Sequence, residues 1–198
     1  MSASASIIGT SFYVPSGPPP GPSVIDLGPG YGPPANPSFD VLLRKEYVDY
    51  HGDNMSFFNS ATAVTTAPDN TIIVTDANTV NGATDYFSVM WTGYMFAPAG
   101  GQYRATLSSD DGSYLWMGDN AINNWTVATS IVNNGGAHGQ GSVTGDDVLM
   151  VGGRWYPIRM VFGEIGGAAV FNFQIEVVGG SGPITPSWAY SLSTGDGF

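Results

Sequence analysis

The sequence predicts an all-β fold, an antiparallel β-sandwich of jelly-roll type that follows an extended N-terminal arm. Short runs of β-branched and aromatic residues alternate with clusters of Gly, Asn, Asp and Pro from residue 39 onward. No segment combines helical periodicity with capping residues. The first 37 residues hold 9 of the 14 prolines, which separates them from the rest. We therefore divide the chain into an arm, residues 1–37, and a sandwich domain, residues 38–198.

The arm is rich in proline and glycine, as in Pro18-Pro19-Pro20 and Pro33-Pro34. Proline lacks a backbone donor and glycine resists ordering, so this composition predicts neither a helix nor a strand ladder. We expect the arm to dock on a protein partner, and the alternative is a disordered linker. The candidate anchors are its small apolar groups: Ile7-Ile8, Phe12-Tyr13 and Val24-Ile25.

The domain contains eight runs that predict strands, separated by turn signals such as Ala97–Gly101 and Asn133–Gly136. Strands that do not alternate with helices favour a sandwich. Only Arg44–Tyr50 could hold a helical turn or two. The predicted strands are Thr71–Thr75, Tyr86–Tyr94, Gln102–Leu107, Tyr114–Met117, Trp125–Val132, Val148–Val151, Trp155–Phe162 and Ala169–Val178.

The charge balance excludes several classes of protein. Five Lys and Arg against 16 Asp and Glu give a net charge of −11, which cannot neutralise a nucleic-acid backbone. No apolar run is long enough to insert into a membrane, and the N-terminus predicts no secretory signal. The chain has no Cys and therefore no disulfide or thiolate metal site. Signatures of nucleophilic, zinc-dependent and nucleotide-dependent enzymes are missing, and we expect His51 and His138 to be solvated.

Two adjacent acids, Asp110 and Asp111, lie in a loop between two predicted strands. Neighbouring carboxylates repel each other, so one holds its proton unless a cation intervenes. Calcium suits such a loop because it takes six to eight oxygen ligands in flexible geometry. The alternative is a solvated turn, in which Asp and Gly are favoured for their backbone geometry. For Asp146-Asp147 we prefer that alternative.

The context of this pair resembles a known family. The motifs Thr92-Gly93-Tyr94, Gly101-Gln102-Tyr103, Ser109-Asp110-Asp111, Tyr114-Leu115-Trp116 and Gly118-Asp119, followed by Trp155–Phe162 with its Tyr-Pro-Ile-Arg core, stand in one order. They resemble the GLEYA and flocculin adhesins of the protective-antigen-fourteen (PA14) superfamily. The resemblance covers roughly residues 39–193 and leaves out the arm.

The resemblance implies a calcium site. In this family two consecutive aspartates, joined by a cis peptide bond, bind one calcium, and sugar hydroxyls complete the coordination. By position the remaining ligands here are the side chain of Glu164 and the backbone carbonyls of Gly166 and Ala168. Flocculins usually carry Asn where this chain has Glu164, which adds a third negative charge. The alternative for Glu164 is a solvated loop carboxylate.

Aromatic residues are candidates for sugar stacking, but most of those in strands belong to a core. We assign Trp91, Trp116 and Trp155 to the sandwich core. Trp125, with Asn124, is kept as a candidate rim residue for a ligand. We interpret Arg159 as a paired structural charge.

These observations predict a calcium-dependent, carbohydrate-binding module displayed on a surface, with a glycan as its ligand. The alternative is a structural component of a virion or other large assembly, anchored by residues 1–37 and possessing an oligomeric state that the sequence leaves open. An enzyme ranks third. A glycosidase would need two carboxylates across the scissile bond, and Asp110 with Glu164 could supply them.

Overall fold

The computed structural model describes residues 23–51, 67–78, 80, 85–193 and 195–198, and these form the predicted all-β sandwich. The only α-helix among them, α1, covers Asp119–Asn123, and a 3₁₀ turn covers Val127–Thr129. The strands are β1 Val24–Asp26, β2 Pro37–Phe39, β3 Leu42–Val48, β4 Asn70–Val74, β5 Phe87–Ala97, β6 Gly101–Asp110, β7 Ser113–Met117, β8 Val132–Asn134, β9 Gly141–Met150, β10 Arg154–Glu164, β11 Val170–Val177 and β12 Trp188–Ser191.

The strands form two sheets. The smaller sheet has the order β1-β9-β6-β11, and the larger has the order β2-β12-β5-β10-β7-β8 with β3 and β4 attached. Strand β5 pairs with β10 along its whole length, while its other edge is shared by β3 and β12. Every pairing is antiparallel except that of β1 with β9. The long paired strands β5 and β10 therefore determine where the loops at each end of the sandwich lie.

The core lies between the sheets and follows the two-residue period of the strands. In β10 the side chains of Tyr156, Ile158, Met160 and Phe162 are fully buried in it. Across the core Trp91 stacks on Phe171 with ring centroids 4.5 Å apart. Trp91, Trp116 and Trp155 are all buried, with none more than 9% exposed, but only Trp91 lies in the core between the sheets, while Trp116 and Trp155 belong to separate apolar clusters.

A second apolar cluster covers the outer face of the larger sheet. Trp125 belongs to it with only 7% of its surface exposed, so its interpretation as a rim residue is wrong. The Arg159 guanidinium lies 4.0 Å from the Trp125 ring centroid, and its Nε donates to the carbonyl of Ala121 at 2.7 Å. Burial lowers the pKa of Arg159 to about 10. Aromatic rings and a carbonyl satisfy this charge, rather than the carboxylate partner that we expected.

The segment 23–37 packs on the chain's own domain. Strand β1 pairs with β9, the Tyr156 hydroxyl donates to the Gly28 carbonyl at 3.1 Å, and Tyr31 exchanges two backbone hydrogen bonds with Trp155. The prediction that no residue of the arm joins a ladder is wrong here, because Val24–Asp26 contains no proline. Residues 1–22, on which most of the partner prediction falls, lie outside the described residues.

Two local predictions differ from the structure. Arg44–Tyr50 is largely strand β3, in which Arg44 lies opposite Trp91 of β5 and is buried on the inner face. Trp125–Val132 is mostly a loop with a 3₁₀ turn, because the Thr126 and Thr129 side chains form a capping box around that turn. Its apolar residues cover a sheet instead of extending one.

The outer edge of β11 is occupied by local contacts. The Phe173 N–H donates to Asn78 Oδ1 at 2.6 Å, and the Asn78 amide donates back to the Phe173 carbonyl at 3.4 Å. Further along, the Ile184 N–H donates to the Ile175 carbonyl at 2.8 Å. Within the described parts of the chain, no helix has the length and apolarity needed to cross a membrane.

Candidate functional site

Three carboxylates meet at one end of the sandwich. Strand β6 ends at Asp110 and β10 ends at Glu164, and oxygens of Asp110, Asp111 and Glu164 all lie within 4.8 Å of one another. The pairing of β7 with β10 places the turn after β6 beside the end of β10, where the Gly163 N–H donates to the Gly112 carbonyl at 2.9 Å. The sheet register therefore brings together residues that are more than fifty positions apart in the sequence.

Asp110 and Asp111 are held differently. The peptide bond between them is cis, as the resemblance implies. Asp111 is 6% exposed, and its two oxygens accept the backbone N–H groups of His138 at 2.7 Å and Ile165 at 2.9 Å. Asp110 is half-buried, and its carboxylate makes no hydrogen bond within the described structure. Asp111 is thus fixed by two loops, while Asp110 is held only by its own backbone.

Glu164 carries the most unusual environment of the three. Its side chain is 1% exposed, and neither carboxylate oxygen has a hydrogen-bond partner among the described residues. Burial, followed by the charge of Asp111, raises its pKa, and the backbone amide of Gly166 opposes that shift. An ionised carboxylate without a partner is costly in such a place unless it takes a proton or a cation. The alternative of a solvated loop carboxylate is therefore wrong.

A polar network supports the turn that carries the aspartates. The hydroxyls of Ser109 and Ser113 lie 2.7 Å apart, and the Asn134 amide donates to Ser109 Oγ at 2.8 Å. His138 is half-buried rather than solvated: its Nε2 lies 3.1 Å from the Asn134 carbonyl and its Nδ1 2.8 Å from the Gly139 carbonyl. These carbonyls, Gly139 first, raise the pKa of His138. No pattern in the sequence points to this contact.

The loop that follows β10 holds the two remaining predicted ligands. Gly166 and Ala168 are both exposed, and their role as carbonyl ligands stays a prediction. A fourth carboxylate, Asp85, which we did not single out, lies beside this loop. Its Oδ1 accepts the Gly167 N–H at 3.3 Å, and its Cγ lies 3.6 Å from where a Cβ on Gly166 would stand. Only the folded chain reveals Asp85, since it precedes Glu164 by almost eighty residues.

Trp125 and Asn124 are not part of this cluster. Trp125 packs with Tyr114 and Val161 on the outer face of the larger sheet, whereas Glu164 follows the inward-facing period of β10. Asn124 is exposed beside Trp125, and its carbonyl accepts hydrogen bonds from Thr126 and Thr129. Their role in binding a ligand at the carboxylate site has no support in this geometry.

Comparison of folds shows that this sandwich is similar to several solved domains. The PA14 domain of MpAFP antifreeze protein matches with a TM-score of 0.58 and 16% identity over 75% of this chain and 88% of that one. The Epithelial Adhesin 9 A domain from Candida glabrata, in complex with Galβ1-3GlcNAc, matches with a TM-score of 0.57 and 11% identity over 85% and 100%. The PA14 sugar-binding domain from an RTX adhesin matches with 0.54 and 18% over 74% and 94%. At these identities the likeness shows the fold.

The family comparison adds the sequence evidence. No curated protein matches this chain. Residues 87–177 match the GLEYA domain, and that segment contains Asp110, Asp111 and Glu164. The resemblance carried by the Ser-Asp-Asp and Tyr-Pro-Ile-Arg motifs is thus confirmed over residues 87–177, the segment that matches the GLEYA domain.

Proposed function

We propose that this protein is a calcium-dependent, carbohydrate-binding module displayed on a surface. The observation that carries the proposal is the carboxylate of Glu164, which is buried against two other carboxylates and has no hydrogen-bond partner among the described residues. A bound dication would be shared by all three carboxylates and would offset two of their three negative charges. A proton on Glu164 would compensate only one, and would leave Asp110 and Asp111 to repel each other.

The donor set fits calcium. The side chains of Asp110, Asp111 and Glu164 offer only hard oxygen atoms, which calcium prefers, and the loop carbonyls of Gly166 and Ala168 would bring the protein ligands to five. Both ring nitrogens of His138 face backbone carbonyls, so the imidazole is not placed as a metal ligand. Calcium supplies a positive centre that binds hydroxyl oxygens, while the chain's own residues set the shape and charge around it.

The ligand class is supported by relatives of the same fold. The Epithelial Adhesin 9 domain was solved with Galβ1-3GlcNAc, and the RTX adhesin domain is described as sugar-binding. A glycan with adjacent hydroxyls would complete the six to eight oxygens that calcium takes. We infer surface display because two of these similar structures are adhesin domains.

A glycosidase role has less support, because a proton donor must touch the glycosidic oxygen and both oxygens of Glu164 are inaccessible. The assembly role through residues 1–37 stays a prediction, although residues 23–37 pack on the chain's own domain. We therefore prefer binding to catalysis.

Two experiments test the proposal. Isothermal titration of calcium into chelator-treated protein should show one site that Asp111→Asn and Glu164→Gln abolish, and the exposed Asp146→Asn is the matched control. A glycan array read with calcium and again with chelator should give calcium-dependent hits. Unchanged calcium binding in both site variants would contradict the metal assignment, and an array without calcium-dependent hits would contradict the ligand.

A further inference from the structure

We propose that this site selects uncharged or amine-bearing sugars and excludes anionic ones, namely uronic acids, sialic acids and sulfated sugars. The inference rests on the proposed function and adds the charge class of the ligand. It follows from the balance of charges around the three carboxylates and from where the few cationic side chains of the chain are committed.

The site keeps a negative charge after calcium binds. Asp110, Asp111 and Glu164 together carry three negative charges, and one calcium ion leaves a net charge of −1. Asp85 adds another on the exposed side of the loop that holds Gly166 and Gly167. A ligand that binds calcium therefore approaches a cation that is surrounded by negatively charged carboxylates. Sugar hydroxyls tolerate that setting, but a second anion pays a repulsive energy in it.

No cationic side chain is placed to offset this excess. The sequence contains only five Lys and Arg, and none of them lies outside the described residues. Each is engaged elsewhere: Arg44 with Glu46 at 2.8 Å, Lys45 with Asp196 at 3.0 Å, Arg104 with Asp147 at 2.6 Å, Arg154 with the carbonyls of Pro29 and Gly30 at 3.1 Å each, and Arg159 with Ala121 and Trp125.

Even if His138 carries a positive charge, the four carboxylates, the calcium ion and this imidazolium still sum to a net charge of −1. Both ring nitrogens of His138 lie against backbone carbonyls, and Nε2 of His51 lies 3.1 Å from the Val48 carbonyl. A sugar carboxylate or sulfate at this end therefore lacks the forked guanidinium or the ammonium with which proteins usually bind such groups.

The test compares ligands that differ by one charge. Methyl galacturonoside and its neutral methyl ester share all ring hydroxyls, as do the corresponding glucose and mannose compounds. Methyl glycosides of the three parent hexoses and of their 2-amino forms complete the set. Binding is measured by ligand-observed NMR titration at pH 8 with saturating calcium, in 20 mM and in 500 mM NaCl.

For the sugar series that binds, we expect the uronate to be about tenfold weaker than its ester at low salt, with a smaller gap at high salt because screening shortens the range of the repulsion. The amino sugar should bind at least as well as the parent hexose. Asp85→Asn should reduce the difference in affinity between the uronate and its ester. Glu176→Gln, which removes a carboxylate from the far end of β11, opposite Arg104, should leave the gap unchanged.

Two outcomes overturn separate claims. If the uronate binds as tightly as its ester, the charge selection is wrong while the carbohydrate-binding function stands. If no sugar binds in a calcium-dependent manner, the proposed function fails and this inference fails with it.

Discussion

The backbone N–H of Ile165 donates a hydrogen bond of 2.9 Å to Oδ2 of Asp111. This contact joins the loop after β10 to the turn after β6, and the N–H of His138 binds the other oxygen of the same carboxylate. Asp111 is therefore a structural link between three segments as well as a candidate metal ligand.

The two aspartates should differ when calcium is absent. Asp111→Ala leaves two partly buried N–H groups without acceptors and should lower the free energy of unfolding by about 1–3 kcal/mol. Asp110→Ala removes no hydrogen bond of the described structure and should change it by less than about 0.5 kcal/mol. Urea unfolding in EDTA measures both. Equal losses in the two variants would contradict the linking role of Asp111, whereas both should lose calcium binding.

Glu164 should make the calcium-free protein less stable as the pH rises. Because its pKa in the folded state lies above the ordinary value of 4.5, the folded protein holds more protons than the unfolded chain above that pH. Its contribution to stability is therefore greatest at or below pH 4.5 and is lost as pH rises through the folded-state pKa. We expect wild type to lose stability relative to Glu164→Gln as the pH rises. The measurement is the free energy of unfolding of both metal-stripped proteins from pH 4.5 to 8. A difference that is independent of pH would rule this out.

Trp125 should prove structural. Its indole packs against Trp116 and the Arg159 guanidinium, with the Trp116 and Trp125 centroids 6.1 Å apart. Trp125→Ala should lower the free energy of unfolding by about 3–5 kcal/mol and leave one calcium site in the protein that remains folded. Asn124→Ala, at the exposed neighbouring position, is the control and should have little effect. A stable Trp125→Ala variant that had lost only sugar binding would restore the rim interpretation.

Removal of residues 1–37 should destabilise the domain itself. The deletion takes away β1, the half-buried Ile25 and Leu27 that pack against the core, and the carbonyls that bind Tyr156 and Arg154. We expect a loss of at least about 2 kcal/mol from the apolar burial alone. Deletion of residues 1–22 leaves each of these contacts in place and serves as the control. Equal stability of the two truncated forms in urea would show that 23–37 contributes nothing.

Local strand patterns in the sequence predicted the sandwich, and the family resemblance predicted that Glu164 lies beside Asp110 and Asp111. Alternation in β10 and the order of the family motifs are visible in a linear string. The hydrogen bonds to Asp111 and the approach of Asp85 to Gly167 depend on sheet register across long separations, which no local pattern encodes. The rim interpretation of Trp125 rested on its position after Asn123-Asn124, and no local pattern shows that this segment folds over the outer face of the larger sheet.

The side chain of Asn78 protects part of the outer edge of β11. The Asn78 side chain binds both backbone groups of Phe173, as a paired strand residue would. The Ile184 N–H likewise binds the carbonyl of Ile175. The backbone groups that Asn78 and Ile184 bind are therefore not available to pair with a strand of another copy of the protein. At high protein concentration this protection lowers the tendency of the domain to aggregate through β11.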